Sequence, residues 1–535
     1  MSIINSVKDI RSNLAFFLII ILFIKNSVSP SYIVYMKAKK TGNIRIMNDE
    51  QIRSRNGFIP ACPTAICVGN SCSYTQSCYA TVDDVNSIIS AEWYDNSCFN
   101  FNECCEEMFK GLIDIEEIDM SFFDLSNFKQ TRLMFAFSGF ISINLTNSNT
   151  QNLMNMQETF KNCKSLVSVT LNIDASNVIN MEYMFAYCSS LKSVNFNGLI
   201  SSDNSTLSHT FESCESLISL DLTSFIFKGQ TTEYMFYNCR SLKSIIFPTN
   251  TDQFFSNMNG MFKGCKSLIS LDISSFHSAK DFCEVFTNCK NLTEIIFSEN
   301  FIIKGKYMNS TFSGCESLAF LNLSSFDTSN VESMYELFYD CKSLSSIELS
   351  NSFNLTKVKT LEKMFYGCES LVYLDTSLFD TPLVTKANEM FYNCNSLKYL
   401  NLSKFDMSHL KNINRMFYGT QSLEYINLKS SINLTNLTDF IDVVYGIADF
   451  NVICYDKSVL YFIADELKKN ALLQFVMRIG KKKKPEYSKK RNLVLKFVEK
   501  LLFININIKI AVFQVALQIQ SKIIIYAKIW LLMQK

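Results

Sequence analysis

Seven cysteines fall between positions 62 and 105: Cys62, Cys67, Cys72, Cys78, Cys98, Cys104 and Cys105. Thiols clustered in this way can form disulfides, hold zinc or exchange electrons. Zinc sites favour paired C-x2-C spacing, often with histidine, and neither occurs in this segment. The spacing therefore predicts a disulfide-stapled amino-terminal module, with one cysteine of the odd number free or paired elsewhere. A second set is regular: Cys163, Cys188, Cys214, Cys239, Cys265, Cys289, Cys315, Cys341, Cys368 and Cys394 recur every 24 to 27 residues. One thiol at one inward position per repeat packs as a small, polarizable hydrophobe. Neighbouring strands lie ~4.8 Å apart, within disulfide reach, but equally directed side chains would strain the bridge. These thiols are expected to be reduced, buried and structural. Histidine chemistry has little material, since the chain holds only His209, His277 and His409. No nucleophile motif, phosphate loop or paired carboxylate stands outside the repeat, so no catalytic residue, cofactor or metal site is expected.

The elements that place these residues begin with a segment at the amino end. Ala15 to Ile24 is uninterruptedly apolar, with Lys8 and Arg11 before it and Lys25 after it. That length suits a signal peptide and is short for a spanning helix, which needs ~20 residues. Residues 1–31 are read as a signal peptide or signal anchor and 32–105 as the cysteine-rich module and cap. At the other end, residues 471–535 carry fourteen Lys/Arg against two acids, leaving 37 basic against 48 acidic residues in the body. An acidic body is a poor nucleic-acid binder. The basic and apolar tail, 479–535, leaves membrane spanning, interfacial association and an unstructured extension all open, because Lys509, Asn505 and Gln514 interrupt its apolar run.

Between these ends one unit dominates. Its phenylalanine falls at Phe109, Phe135, Phe160, Phe185, Phe211, Phe236, Phe262, Phe286, Phe312, Phe338, Phe365, Phe391 and Phe417. Within the unit from Phe312, Leu318, Leu321 and Leu323 have L-x-x-L-x-L spacing, which predicts a short strand. Ser324 to Asn330 are rich in side chains that bond their own backbone, which predicts a turn. Met334, Leu337 and Phe338 follow at helical spacing. A strand, a turn and a short helix in ~26 residues cannot bury their apolar faces alone, whereas stacked coils can. The expected fold is an α/β solenoid, a leucine-rich-repeat stack of about 13 coils over 106–450. A parallel sheet lies on its concave face and short helices on its convex face. A strand and an amphipathic helix at 451–478 close its end.

The segments Asn322-Leu-Ser-Ser-Phe-Asp-Thr-Ser-Asn-Val331 and Phe338-Tyr-Asp-Cys-Lys-Ser-Leu344 resemble the repeat of BspA-like leucine-rich-repeat surface proteins, also found in mycoplasmal lipoproteins as a domain of unknown function. Met364-Phe-Tyr-Gly-Cys-Glu-Ser-Leu371 matches equally well. The resemblance implies a secreted or surface-displayed solenoid used for adhesion or recognition, and it implies no catalytic residues.

Recognition would fall to the strand residues that flank the inward leucines. One such column reads Ser168, Ser193, Ser219, Ser244, Ser270, Glu294, Phe320, Ser346, Tyr373, Tyr399 and Tyr425, small and polar before it turns aromatic. The next contains Asp375, Asn401 and Asn427 and is weakly acidic. Phe320, Tyr373, Tyr399 and Tyr425, rimmed by Asp375, Asn401 and Asn427, are the candidate ligand-binding residues, because tyrosine offers contact area at low entropy cost. The expected partner is a protein or glycan on another cell surface, with no nucleic acid. Membrane association through the tail or an uncleaved anchor stays open. An intracellular scaffold of the same fold is the alternative. Nine N-x-S/T sequons, including those at Asn322 and Asn401, matter only in a glycosylating secretory pathway.

Overall fold

The computed structural model describes strands within residues 32–93, most of 107–446, and a strand at 451–454. Two units divide at Leu467/Lys468. The second unit lies outside the described residues, as do the expected signal segment and the basic tail. So do the side chains of the amino-terminal cysteines, so their disulfides are not placed.

The described chain is a parallel β-solenoid. The L-x-x-L-x-L segments form three- and four-residue strands that pair in parallel with their counterparts one repeat on, as in Ser168–Leu171 with Ser193–Phe196 and Ser219–Asp221 with Ser244–Ile246. Eight such pairings lie on this face, split among five separate sheets, so the one continuous sheet expected of a thirteen-coil stack is not formed. Burial alternates along Ser219–Asp221, Ser270–Ile273 and Phe320–Asn322: Leu220, Leu271 and Leu321 point inward while their neighbours face out. The first turn, Ile115–Asp119, pairs antiparallel with Tyr32–Ala38, which also pairs with Ile88–Trp93. Strands that precede the repeats thus cover the sheet edge that the solenoid would otherwise leave open.

A second line of strands runs where the sequence suggested only turns. Lys228–Thr231, Gln253–Asn257, Phe276–Asp281, Phe301–Ile303 and Phe326–Asp327 form a five-stranded parallel sheet. Single bridges prolong it on both sides, from Gln130 to Thr231 and from Tyr307 to Asp439. The expected side-chain turns lie between the two sheets. The Ser324 amide donates to Asn322 Oδ1 and the Ser329 amide to Asp327 Oδ1, both at 2.9 Å.

No helix occurs among the described residues, and the convex helices are corrected. Glu336 and Asp340 take φ of 54° and 53°, and this pair of left-handed residues, four apart, recurs in successive turns. A right-handed helix cannot pass through them. The amides alternate instead. Met334, Glu336, Phe338 and Asp340 donate to the carbonyls of Thr360, Glu362, Met364 and Tyr366 in the next turn, at 2.7–3.2 Å. Leu337, Tyr339 and Cys341 donate three residues back. Each costly left-handed residue gains a bond to the neighbouring turn, so the ribbon is stable only when stacked. It buries the same i, i+3, i+4 positions as a helix would. Met334, Leu337 and Phe338 are all core residues.

The core is a ladder of phenylalanines. From Phe109 to Phe417 successive rings stack with centroids 5.0–5.7 Å apart, for example Phe160 on Phe185 and Phe391 on Phe417. Burying each ring contributes ~1.5–3 kcal/mol, and each aromatic pair adds ~0.5–1.5 kcal/mol.

Candidate recognition face

Each repeat cysteine is buried and free, and its Sγ–H points at the phenylalanine carbonyl of the preceding turn: Cys188 to Phe160 at 3.0 Å, Cys289 to Phe262 at 3.1 Å, Cys341 to Phe312 at 3.0 Å. Burial pushes the Cys188, Cys289 and Cys341 thiols up, Cys289 to about 12, so their thiolate chemistry is suppressed at neutral pH. Where the first turns lack cysteine, Ser138 takes its place, and its hydroxyl donates to the Phe109 carbonyl at 2.7 Å. A donor of the right size is what the position needs. Among the described residues no three His, Cys, Asp or Glu side chains converge as metal ligands would, and no helix is long and apolar enough to cross a membrane.

The strand face carries the other expected residues. Tyr373 is 59% exposed, and Phe320 and Tyr399 are exposed beside it in sequence order. Backbone register aligns Tyr373 with Tyr399 and Tyr399 with Tyr425. Phe320 aligns with Ser346, so a serine separates it from the tyrosine group. Tyr399 is held by a side-chain bond. Tyr399 Oη donates to Glu424 at 3.1 Å, and that bond, more than burial, raises its pKa. The Tyr373 phenol is raised by partial burial and then by Asp375. Asp375 and Asn401 are exposed and use Oδ1 to accept the amides of Ser377 and Ser403 at 2.9 and 3.2 Å. Asn401 aligns with Asn427, but the side chains of Tyr425 and Asn427 lie outside the described residues.

Two further features escaped the sequence reading. Tyr339, Tyr366, Tyr392, Tyr418 and Tyr445 stack on the turn ribbon at 4.5–5.0 Å. The repeated Phe-Tyr dipeptide was the available signal. His209 stacks between Tyr183 and Tyr234 at 4.4 and 5.4 Å, with Nδ1 2.7 Å from Glu212. Glu212 accepts Tyr187 Oη on its other oxygen at 2.7 Å. Burial would raise its carboxyl, but the bonds from His209 and Tyr187, with Lys161 nearby, hold it below the ordinary range.

No curated protein matches the chain. Among solved structures, it is similar to a chain of the Drosophila Toll–Spatzle complex at 11% identity, covering 62% of this chain and 46% of that one, with a TM-score of 0.25. The chain thus spans about half the length of that relative. It is also similar to a leucine-rich-repeat protein of Leptospira interrogans at 12% identity, covering 54% and 80%, with a TM-score of 0.21. Scores this low carry no argument about function. The family described as "Mycoplasma protein of unknown function, DUF285" matches residues 103–225, 205–301, 256–374 and 345–455, a continuous span of about two thirds of the sequence. These are the residues that build the solenoid, and the chain belongs to that family.

Proposed function

We propose that this chain is a non-catalytic recognition protein, secreted or displayed at the cell surface. It binds a protein or glycan through the strand face of its carboxyl-terminal turns. The observation that carries this reading is the exposed pair Tyr373 and Tyr399, registered by the backbone with Tyr425 and rimmed by Asp375 and Asn401. Large rings held outward on a rigid ladder are anchors with little entropy left to lose. The resemblance of the repeat to BspA-like surface proteins supports adhesion as the setting. The acidic body disfavours nucleic acid as the partner.

The test is Tyr373→Ser combined with Tyr399→Ser, assayed for binding to intact cell surfaces. Binding should fall at least about tenfold with the fold intact, because aromatic anchors dominate interfaces. A folded double variant that binds as the parent does refutes this face as the site.

A second reading, an intracellular scaffold of the same fold, is favoured by the buried free thiols of the repeats, since reducing compartments keep thiols free. Protease shaving of intact cells separates the two: loss of the protein supports surface display, and full protection supports the scaffold.

A further inference from the structure

Upstream of the tyrosines, the strand face carries an alternation that the aromatic site does not use. In the column just past the inward residue, Asp221, Ile246, Asp272 and Ile296 follow one another on successive turns. Register confirms the pairs Asp221 with Ile246 and Asp272 with Ile296. Ile246 is 57% and Ile296 46% exposed, and Ile218 and Ile269 are exposed at the entries of the intervening strands. Aliphatic side chains held in water at four adjacent turns gain nothing for this chain alone. The carboxylates beside them carry no ion pair. Asp221 and Asp272 each use Oδ1 for a local turn, accepting the amides of Thr223 and Ser274 at 2.9 Å. Glu294 stands exposed in the neighbouring column, and Lys243 is exposed at the entry of the strand that carries Ile246.

We infer that this surface docks a basic amphipathic helix of a partner protein, laid along the solenoid axis. The column offers one side chain per turn of the solenoid, ~4.8 Å apart. An α-helix presents one side chain per ~5.4 Å turn, so across these four turns the two repeats differ by only ~2 Å. An extended strand, with same-face side chains every ~6.8 Å, falls ~6 Å out of register over the same four turns. A helix whose facing stripe mixes aliphatic and lysine or arginine side chains covers the isoleucines and neutralises Asp221 and Asp272 together.

The experiment uses the full chain and two labelled helical peptides of about 18 residues, five turns: an amphipathic Leu/Lys peptide and its Leu/Glu counterpart. Fluorescence anisotropy should show the Leu/Lys peptide bound at least about tenfold more tightly. Ile246→Ser with Ile296→Ser should weaken it about tenfold or more. Asp221→Asn with Asp272→Asn should weaken it and flatten its salt dependence. All four positions are solvent-exposed, so melting temperatures should match the parent and a loss of binding reads as loss of the site. Tyr373→Ser with Tyr399→Ser should leave peptide binding unchanged, which separates this surface from the aromatic one. Equal affinity for both peptides, parent-like binding by the isoleucine variant, or loss confined to the tyrosine variant overturns the inference.

Discussion

The side-chain oxygen of Asn238 lies 2.6 Å from the point a Cβ on Gly264 would occupy. The two residues hold the same left-handed position in successive turns, with φ of 58° and 79°. The relationship repeats as Asn288 over Gly314, Asp340 over Gly367 and Asn393 over Gly419. From Asn238 to Gly419, every second turn supplies a side chain that leans across, and the turn after it supplies the space. Gly264→Ala should therefore destabilise by about 1–3 kcal/mol, from backbone strain plus the clash. In an Asn238→Ala background the same change should cost less, because the overlapping atoms are gone. Chemical denaturation of the four proteins in a double-mutant cycle measures this coupling, and additive effects would contradict the geometry.

Facing on the strand is tested by Leu321→Asp against Ser346→Asp. Leu321 is 1% exposed and belongs to the continuous core. An unpaired carboxylate there should cost more than about 3 kcal/mol. Ser346 sits on the outward side, in register with Phe320, and aspartate there should cost about 0.5 kcal/mol or less. Melting temperatures should separate the two clearly. Hydrogen exchange should place the Leu321→Asp lesion in the adjoining turns first, since turns stabilise their neighbours.

The strand that holds these residues was legible in the sequence because period-two burial has few competitors. Leu318, Leu321 and Leu323 are core residues at the spacing expected of them. The turn ribbon was not legible as such. Its buried residues Met334, Leu337 and Phe338 keep helical spacing, while the residues that forbid a helix, Glu336 and Asp340, carry no sequence mark of φ above zero. Glycines such as Gly264, Gly314, Gly367 and Gly419, and asparagines such as Asn238, hinted at left-handed backbone, but they read equally well as helix ends. The second sheet was hidden for a related reason. Phe326–Asp327 is a two-residue strand inside a run of turn-forming residues, paired by stacking rather than by propensity. On the strand face the tyrosine column was readable by counting. Ile246 and Ile296 were not, since single isoleucines in a polar column look like drift until their exposure is known.

Acid should loosen the turn ribbon around Glu212. Its folded carboxyl titrates below the ordinary 4.5, because the bonds from His209 and Tyr187 outweigh the opposing effect of burial. Folding therefore favours the ionised form. The stabilisation is complete above the unfolded value near 4.5 and is lost as pH falls through the lower folded value. The groups around the site include Glu158, Lys161, Glu182, Tyr183, Glu233 and Tyr234. Glu212→Gln should lower the melting temperature at pH 7, where the charge-assisted bonds are lost at a cost of about 1–3 kcal/mol. It should also flatten the decline between about pH 5 and 3. Thermal melts across that range check both, and parallel curves for parent and variant would remove Glu212 from the acid response.

Thiol reactivity should follow burial rather than number. The ten repeat thiols are fully buried and donate to carbonyls, and burial raises nearly all of them well above the ordinary thiol range. Cys283 is half-buried and less shielded, although burial raises it as well. Alkylation of the native protein at pH 8, followed by peptide mass mapping, should label Cys283 well before any repeat cysteine, because the thiolate is the reacting form and must be reached by reagent. Denaturant should then expose the repeat set together, since their shelter is a shared core. Cys315→Ser should be tolerated within about 1 kcal/mol, as a hydroxyl can donate to the Phe286 carbonyl just as Ser138 donates to Phe109. Cys315→Val removes the donor and adds bulk, and should cost about 1–3 kcal/mol. If serine proves worse than valine, the position selects for apolar packing alone and the bond from Cys315 to Phe286 contributes nothing measurable.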